Sequence, residues 1–185
     1  MALTAFQRAL QQLVHRDLEL SARLVTAVES RRVIYAMCAL LAHSGDGPIW
    51  GILGALGLAI GAPHDRTGIL WTTGAVLLTA LVVTAIKYTV RRPRPHGLES
   101  AKWSAMPKHD VYSFPSGHAA RAVCIAWCVS ALYPAACVPI VLWALGVGLA
   151  RVAVGAHYGS DVIAGMMVGS LAGSLALALR FLFNW

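Results

Sequence analysis

Apolar residues fall along this chain in runs separated by short polar breaks. The clearest run, residues 69–90 (ILWTTGAVLLTALVVTAIKYTV), has the ~20 residues a helix needs to cross a bilayer. Further runs cover 48–62, 118–133, 136–153 and 161–183, and each reads as a spanning helix. Residues 33–42 (VIYAMCALLA) are too short to span alone. A sixth crossing would need residues from about 22 to 43. The pattern therefore predicts an all-α polytopic membrane bundle of five to six transmembrane helices, a single domain over 1–185.

The breaks are informative. SGDG at 44–47 suits a turn, with Ser44 or Asp46 placed to cap the next helix. PHDRTG at 63–68 reads as a short polar turn. Residues 91–117 form one long loop, and a loop of that length inside a compact domain is usually functional. Residues 1–30 mix Phe6, Leu10, Leu13 and Leu20 with charged positions at near-helical spacing. Two readings stand there: an N-terminal amphipathic helix on the membrane surface, or a helix packed on the bundle. No compact apolar stretch with a cleavage site occurs in this segment, so a cleaved signal peptide is not expected. Gly165, Gly169 and Gly173 recur every four residues, a small-residue face for close helix packing.

Composition agrees with the pattern. Hydrophobic residues make up 58% of the 185 and charged residues 12%, about half the share in a soluble domain. Mean hydropathy is +0.66. Cys38, Cys124, Cys128 and Cys137 lie in apolar stretches without metal-binding spacing and read as small buried residues. The net charge of +7 would attract an anionic headgroup or phosphorylated substrate. Nucleic acid is not an expected partner, because the arginines border apolar segments.

Counting crossings places three polar segments on one face: Lys87–Pro95, Ser116–His118 and Arg151–Asp161. Lys87, Arg91, Arg92, Arg94 and Arg151 are costly in a low-dielectric setting unless an anion neutralises them. A positive-inside flank accounts for Arg91 and Arg92 but not for Arg151. Ser116 is a natural N-cap and Gly117 allows close backbone approach, so the start of helix 118–133 offers a phosphate cradle, with His118 beside it. His157 and Asp161 are four apart. On a helix they would share a face, with the carboxylate holding one ring nitrogen as N–H and the other left to attack phosphorus.

Three motifs occur in order: Lys-x6-Arg-Pro at Lys87, Arg94 and Pro95; PSGH at 115–118; and Arg-x5-His-x3-Asp at Arg151, His157 and Asp161. Together they resemble the type 2 phosphatidic acid phosphatase superfamily of membrane lipid phosphatases. The third motif usually opens Ser-Arg; here it is Ala150-Arg151. The resemblance implies His157 as nucleophile through a phosphohistidine, Asp161 as its orienting group, and His118 as proton donor and later base. It implies phosphate contacts from Lys87, Arg94, Ser116, Gly117 and Arg151, with no metal and no cofactor. Arg91, Arg92 and Arg121 fall outside the motifs and read as headgroup or interface contacts at best.

The implied partner is a lipid phosphate or diphosphate in the bilayer. Undecaprenyl diphosphate comes first, phosphatidylglycerophosphate or phosphatidic acid second. Phosphoryl transfer to another lipid is a related outcome. From another class, a non-enzymatic lipid transporter or scaffold would predict no phosphate release; a vanadate haloperoxidase is disfavoured by the hydrophobic spans. Loop 96–114, with Lys102, Trp103, Lys108 and His109, is a candidate headgroup reader. Arg66 and Arg180, with the N-terminal arginines placed beside them, point to an inner (plasma) membrane protein with an extracytoplasmic site.

Overall fold

The computed structural model describes residues 4–95 and 111–182, and among them every regular element is helical. The helices are α1 (Ala5–Glu29), α2 (Arg32–His43), α3 (Gly47–Ile60), α4 (Pro63–Val90), α5 (Gly117–Leu132), α6 (Cys137–Ala153) and α7 (Gly159–Leu182). Local chemistry sets several ends. Thr4 and Gln7 form a reciprocal capping box at the start of α1. Ser116 caps α5 by accepting from Ala119 N. Arg91 ends α4 in the left-handed region, φ 52°.

Two boundaries depart from expectation. PHDRTG is not a turn but the opening of α4. Pro63 occupies the first turn, where its missing N–H costs nothing, and Asp65 meets the positive helix end. Residues 22–43 are not one helix either: the chain breaks at Ser30–Arg31, with Arg31 extended (φ −121°, ψ 91°) ahead of α2. A sixth crossing from that stretch would thus comprise parts of two helices.

Among the described residues, three helices are long and apolar enough to cross a membrane: Asp65–Val90, Pro134–Ala153 and Gly159–Leu182. The apolar helices α2, α3 and α5 have 12, 14 and 16 residues. Even α5 is only roughly 24 Å long at 1.5 Å per residue.

The bundle is inverted relative to a soluble one. Leu77, Leu81, Leu142, Leu149, Ile163 and Leu171 point outward, whereas the buried set is dominated by Ala, Val and Gly. Arg151, His157 and Asp161 rank among the largest fully buried side chains. Lipid tails are as apolar as leucine, so helices gain by close backbone approach and internal polar contacts instead. The α5–α7 pair shows how. A Cβ at Gly165 would lie 2.3 Å from Ser116 O, and one at Gly169 2.1 Å from Ala120 O. The glycine face of α7 is what lets it press against the start of α5. Cys124 and Cys128 are buried, but Cys38 is half-buried and Cys137 exposed. On α1, Ser21, Val25 and Val28 are buried while Leu13 and Leu20 face outward. The helix packs on α2, α6 and α7.

Candidate active site

The three motif segments meet at one end of the bundle, joined mainly through backbone. Ser116 N donates to Asp161 O at 2.8 Å, coupling the second motif to the third. Ser113 N donates to Arg92 O at 2.9 Å and its hydroxyl to Pro93 O at 3.0 Å, coupling the first to the second. Lys87 Nζ donates to Tyr112 O at 3.1 Å. Arg94 Nη1 donates to Ala156 O at 2.8 Å, coupling the first to the third. Arg151, in the last turn of α6, is fully buried, and its carbonyl accepts from Ala156 N and His157 N. Gly155, at φ 76°, makes the turn that returns the chain over that carbonyl.

His157 thus sits in a turn between α6 and α7. It is not on a helical face with Asp161, because α7 begins only at Gly159. The two still meet, with Nδ1 3.7 Å from Asp161 Oδ2, a charge contact longer than a hydrogen bond. On the other side of the ring, Nε2 lies 3.4 Å from Arg94 Nη1. A guanidinium only donates, so this geometry assigns the ring proton to Nδ1 and the lone pair to Nε2. Burial first, then the charges of Arg151, Arg94, Lys87 and His118, hold His157 well below the ordinary histidine range. Its neutral form is therefore the stable one at neutral pH.

Ser116 and Gly117 open α5 beside this ring, and Ser116 is fully buried. Free N–H groups of a helix start, three cationic side chains and a neutral imidazole can receive a tetrahedral oxyanion and present a nitrogen to it. The eight candidate site residues, Lys87, Arg94, Ser116, Gly117, His118, Arg151, His157 and Asp161, lie in this end of the bundle. Lys102, Trp103, Lys108 and His109 lie outside the described residues.

Two features were not legible as site residues. Arg92 is not a peripheral headgroup contact. Its Nη1 donates to Asp161 Oδ1 and to Ser160 Oγ, each at 2.7 Å, and Nη2 to Asp17 Oδ2 at 3.1 Å. Its guanidinium sits 4.1 Å above the Tyr158 ring. Asp17, from α1, also accepts from Ser160 N at 3.0 Å, and Ser21 Oγ accepts from Gly159 N at 3.1 Å. The N-terminal helix therefore clamps the start of α7, one residue from Asp161. Arg121 likewise holds protein rather than headgroup, donating from Nη1 to Gly45 O at 2.8 Å.

The second feature is Asp46. It stands at the N-cap of α3 yet makes no side-chain cap bond, although a capping Asp contributes about 1 kcal/mol. Its Oδ1 lies 2.7 Å from His118 Nε2 and its Oδ2 2.9 Å from His43 Nδ1. Partial burial alone would raise its pKa. The hydrogen bonds with His118 and His43, and their charges, outweigh burial and bring it to about 2.

Known proteins are similar to this chain in sequence and in fold. The sequence model described as the PAP2 superfamily matches residues 68–185. A lipid A 1-phosphatase of Rhizobium johnstonii is 33% identical over 99 residues, 51% of this chain and 41% of that protein, so this chain spans less than half the length of that relative. A decaprenylphosphoryl-5-phosphoribose phosphatase of Mycobacterium tuberculosis is 31% identical over 155 residues, 81% of this chain and 82% of that one. The crystal structure of a transmembrane PAP2 type phosphatidylglycerolphosphate phosphatase from Bacillus subtilis superposes with a TM-score of 0.73 at 21% identity, covering 91% of this chain and 86% of that one. With three motifs drawn into one buried cluster and a family match over most of the chain, the protein belongs to the PAP2 superfamily.

Proposed function

We propose that this protein is a membrane lipid phosphatase that works through a phosphohistidine on His157 without a metal ion. The observation that carries the reading is a buried His157 whose Nε2 faces Arg94, with Arg151 and Lys87 adding positive charge. In the first step the Nε2 lone pair forms an N–P bond as the P–O bond to the leaving group breaks. His118 gives its proton to the departing oxygen. In the second, His118 takes a proton from water as the water oxygen bonds phosphorus. The N–P bond breaks and its electron pair returns to Nε2, releasing phosphate. Asp161 orients His157. Lys87, Arg94, Arg151, Ser116 and the Gly117 N–H hold the phosphoryl oxygens as charge develops.

Undecaprenyl diphosphate is the proposed substrate. The Mycobacterium relative, similar along four-fifths of both chains and named for a decaprenylphosphoryl compound, supports a polyprenyl-linked phosphate. The outward leucine belt supports delivery from the bilayer, with five to six crossings once the shorter helices are included. An extracytoplasmic site is supported by Arg31, Arg32, Arg66 and Arg180, all at helix ends away from the site. The middle of α1 lies at the site end, bonded to Ser160, so Arg8 and Arg16 do not add to that count.

The test is phosphate release by detergent-purified protein from undecaprenyl diphosphate, phosphatidylglycerophosphate, phosphatidic acid and lipid A 1-phosphate, with EDTA present. Release fastest from undecaprenyl diphosphate and unaffected by EDTA is expected. Loss of activity on chelation would overturn the metal-free mechanism, and no release from any member would overturn the phosphatase reading.

A further inference from the structure

We infer that Asp46 is the positioning residue of His118, fixing the proton on Nε2 so that Nδ1 is the nitrogen that exchanges a proton with the leaving oxygen and with water. The inference rests on the lipid phosphatase reading for what His118 does, and on geometry alone for how it is held.

Four observations lead there. Asp46 leaves its own helix uncapped and spends both oxygens on imidazoles, one of them His118 at 2.7 Å. The loop that carries it is held by three separate side chains. Trp50 Nε1 donates to Ser44 O at 2.9 Å, Trp143 Nε1 to Ser44 Oγ at 2.9 Å, and Arg121 Nη1 to Gly45 O at 2.8 Å. The loop also lies close against the ring: a Cβ at Gly45 would meet Val147 Cγ1 at 2.9 Å and His118 Cδ2 at 3.7 Å. Finally, exposure falls along the chain of groups, from 44% at His43 to 34% at Asp46 and 15% at His118. The carboxylate is thus shielded on the side where it meets His118.

A carboxylate accepts only from a protonated nitrogen, so Asp46 keeps Nε2 as N–H in both states of the ring. Nδ1 then carries the exchangeable proton, given up as the P–O bond breaks and recovered from the attacking water. Asp46 stays ionised throughout and no net proton passes through it. Other charged groups acting on His118 are Arg121 on its own helix and Arg151 from α6, with His43 behind Asp46 at the end of α2 and His157 across the site. Asp46 is the carboxylate among them.

The experiment uses the full chain in detergent. Asp46→Asn should lower kcat on phosphatidylglycerophosphate, whose leaving group is an alcohol, by roughly 10–100-fold with KM unchanged. The loss on undecaprenyl diphosphate should be smaller, because its leaving phosphate needs less protonation. The basic limb of the kcat profile should move, Asp46→Glu should restore part of the rate, and adding Asp46→Asn to His118→Gln should cost little more. Equal loss on both substrates with an unmoved pH profile would make Asp46 merely structural and overturn the inference. Wild-type kcat in Asp46→Asn would do the same. Independently of turnover, ¹⁵N-histidine spectra of the wild-type protein should show neutral His118 as the Nε2–H tautomer, and an Nδ1–H tautomer would contradict the assignment. That readout separates this inference from the phosphatase reading, which fails if wild-type protein releases no phosphate.

Discussion

The two histidines of the site are each paired with a carboxylate, and the pairs are built in opposite ways. His157 meets Asp161 four residues along the chain, through Nδ1, leaving Nε2 toward the cations. His118 meets Asp46 from a loop 72 residues earlier, through Nε2. The first pair is buried and tied to further groups, since Asp161 also accepts from Arg92 and from Tyr158 N. The second sits at the rim, and its carboxylate is one-third exposed. A nucleophile must stay neutral and fixed, so burial serves it. A proton-exchanging group must reach both charge states, so a carboxylate near water serves it better.

The contrast breaks most sharply at the rings themselves. His157→Ala should reduce phosphate release by about 10⁴-fold or more on every lipid phosphate, because no other group can form the N–P bond. His118→Ala should cost about 10²–10⁴-fold, more for an alcohol leaving group than for a diphosphate. Steady-state phosphate assays on the two substrate types check both. Equal, substrate-independent losses for the two variants would erase the division of labour.

Next in size is the support of the buried pair. Asp161→Asn should lower kcat by about 10–100-fold. Arg92→Gln should follow with a smaller loss of rate and about 1–3 kcal/mol of stability, since it leaves Asp161 and Asp17 short of a partly buried charged donor. Thermal unfolding in detergent reads the second effect. Wild-type stability and rate in Arg92→Gln would show that the Asp17–Arg92–Asp161 chain is incidental.

A smaller effect sharpens the electrostatics. Burial and then the cations hold His157 well below the ordinary histidine range, so protonation removes the nucleophile only at low pH. The acid limb of kcat/KM should therefore lie well below pH 6.5, with Asp46, at about 2, still ionised across it. An acid limb at or above pH 6.5 would contradict the described surroundings of the ring.

Much of this was readable from the chain alone, and what was missed has a physical reason. Runs of apolar residues announced the helices because lipid exposure demands continuous apolar faces. Motif spacing announced the cluster because helix ends on one side must meet. Arg92, a cation beside a spanning run, suits a membrane flank equally well, and only the fold shows its three acceptors. Ser44 and Asp46 both suit a helix cap by position and residue type, while the contact of Asp46 with His118 depends on a loop–helix approach far away in sequence. Asp17 was hidden for the same reason, on a helix whose pattern suited the membrane surface as well as the bundle. The break at Ser30–Arg31 falls in four consecutive polar residues, Glu29 to Arg32, and so was already marked between residues 1–30 and the apolar run 33–42.

The most direct measurement is a rapid acid-free quench of the enzyme turning over ³²P-labelled undecaprenyl diphosphate, followed by peptide mapping. The account predicts alkali-stable, acid-labile phosphate on His157, present in the wild type and accumulating in His118→Ala, where water activation is lost. Label on any other residue, or turnover with no labelled protein in either form, would contradict it.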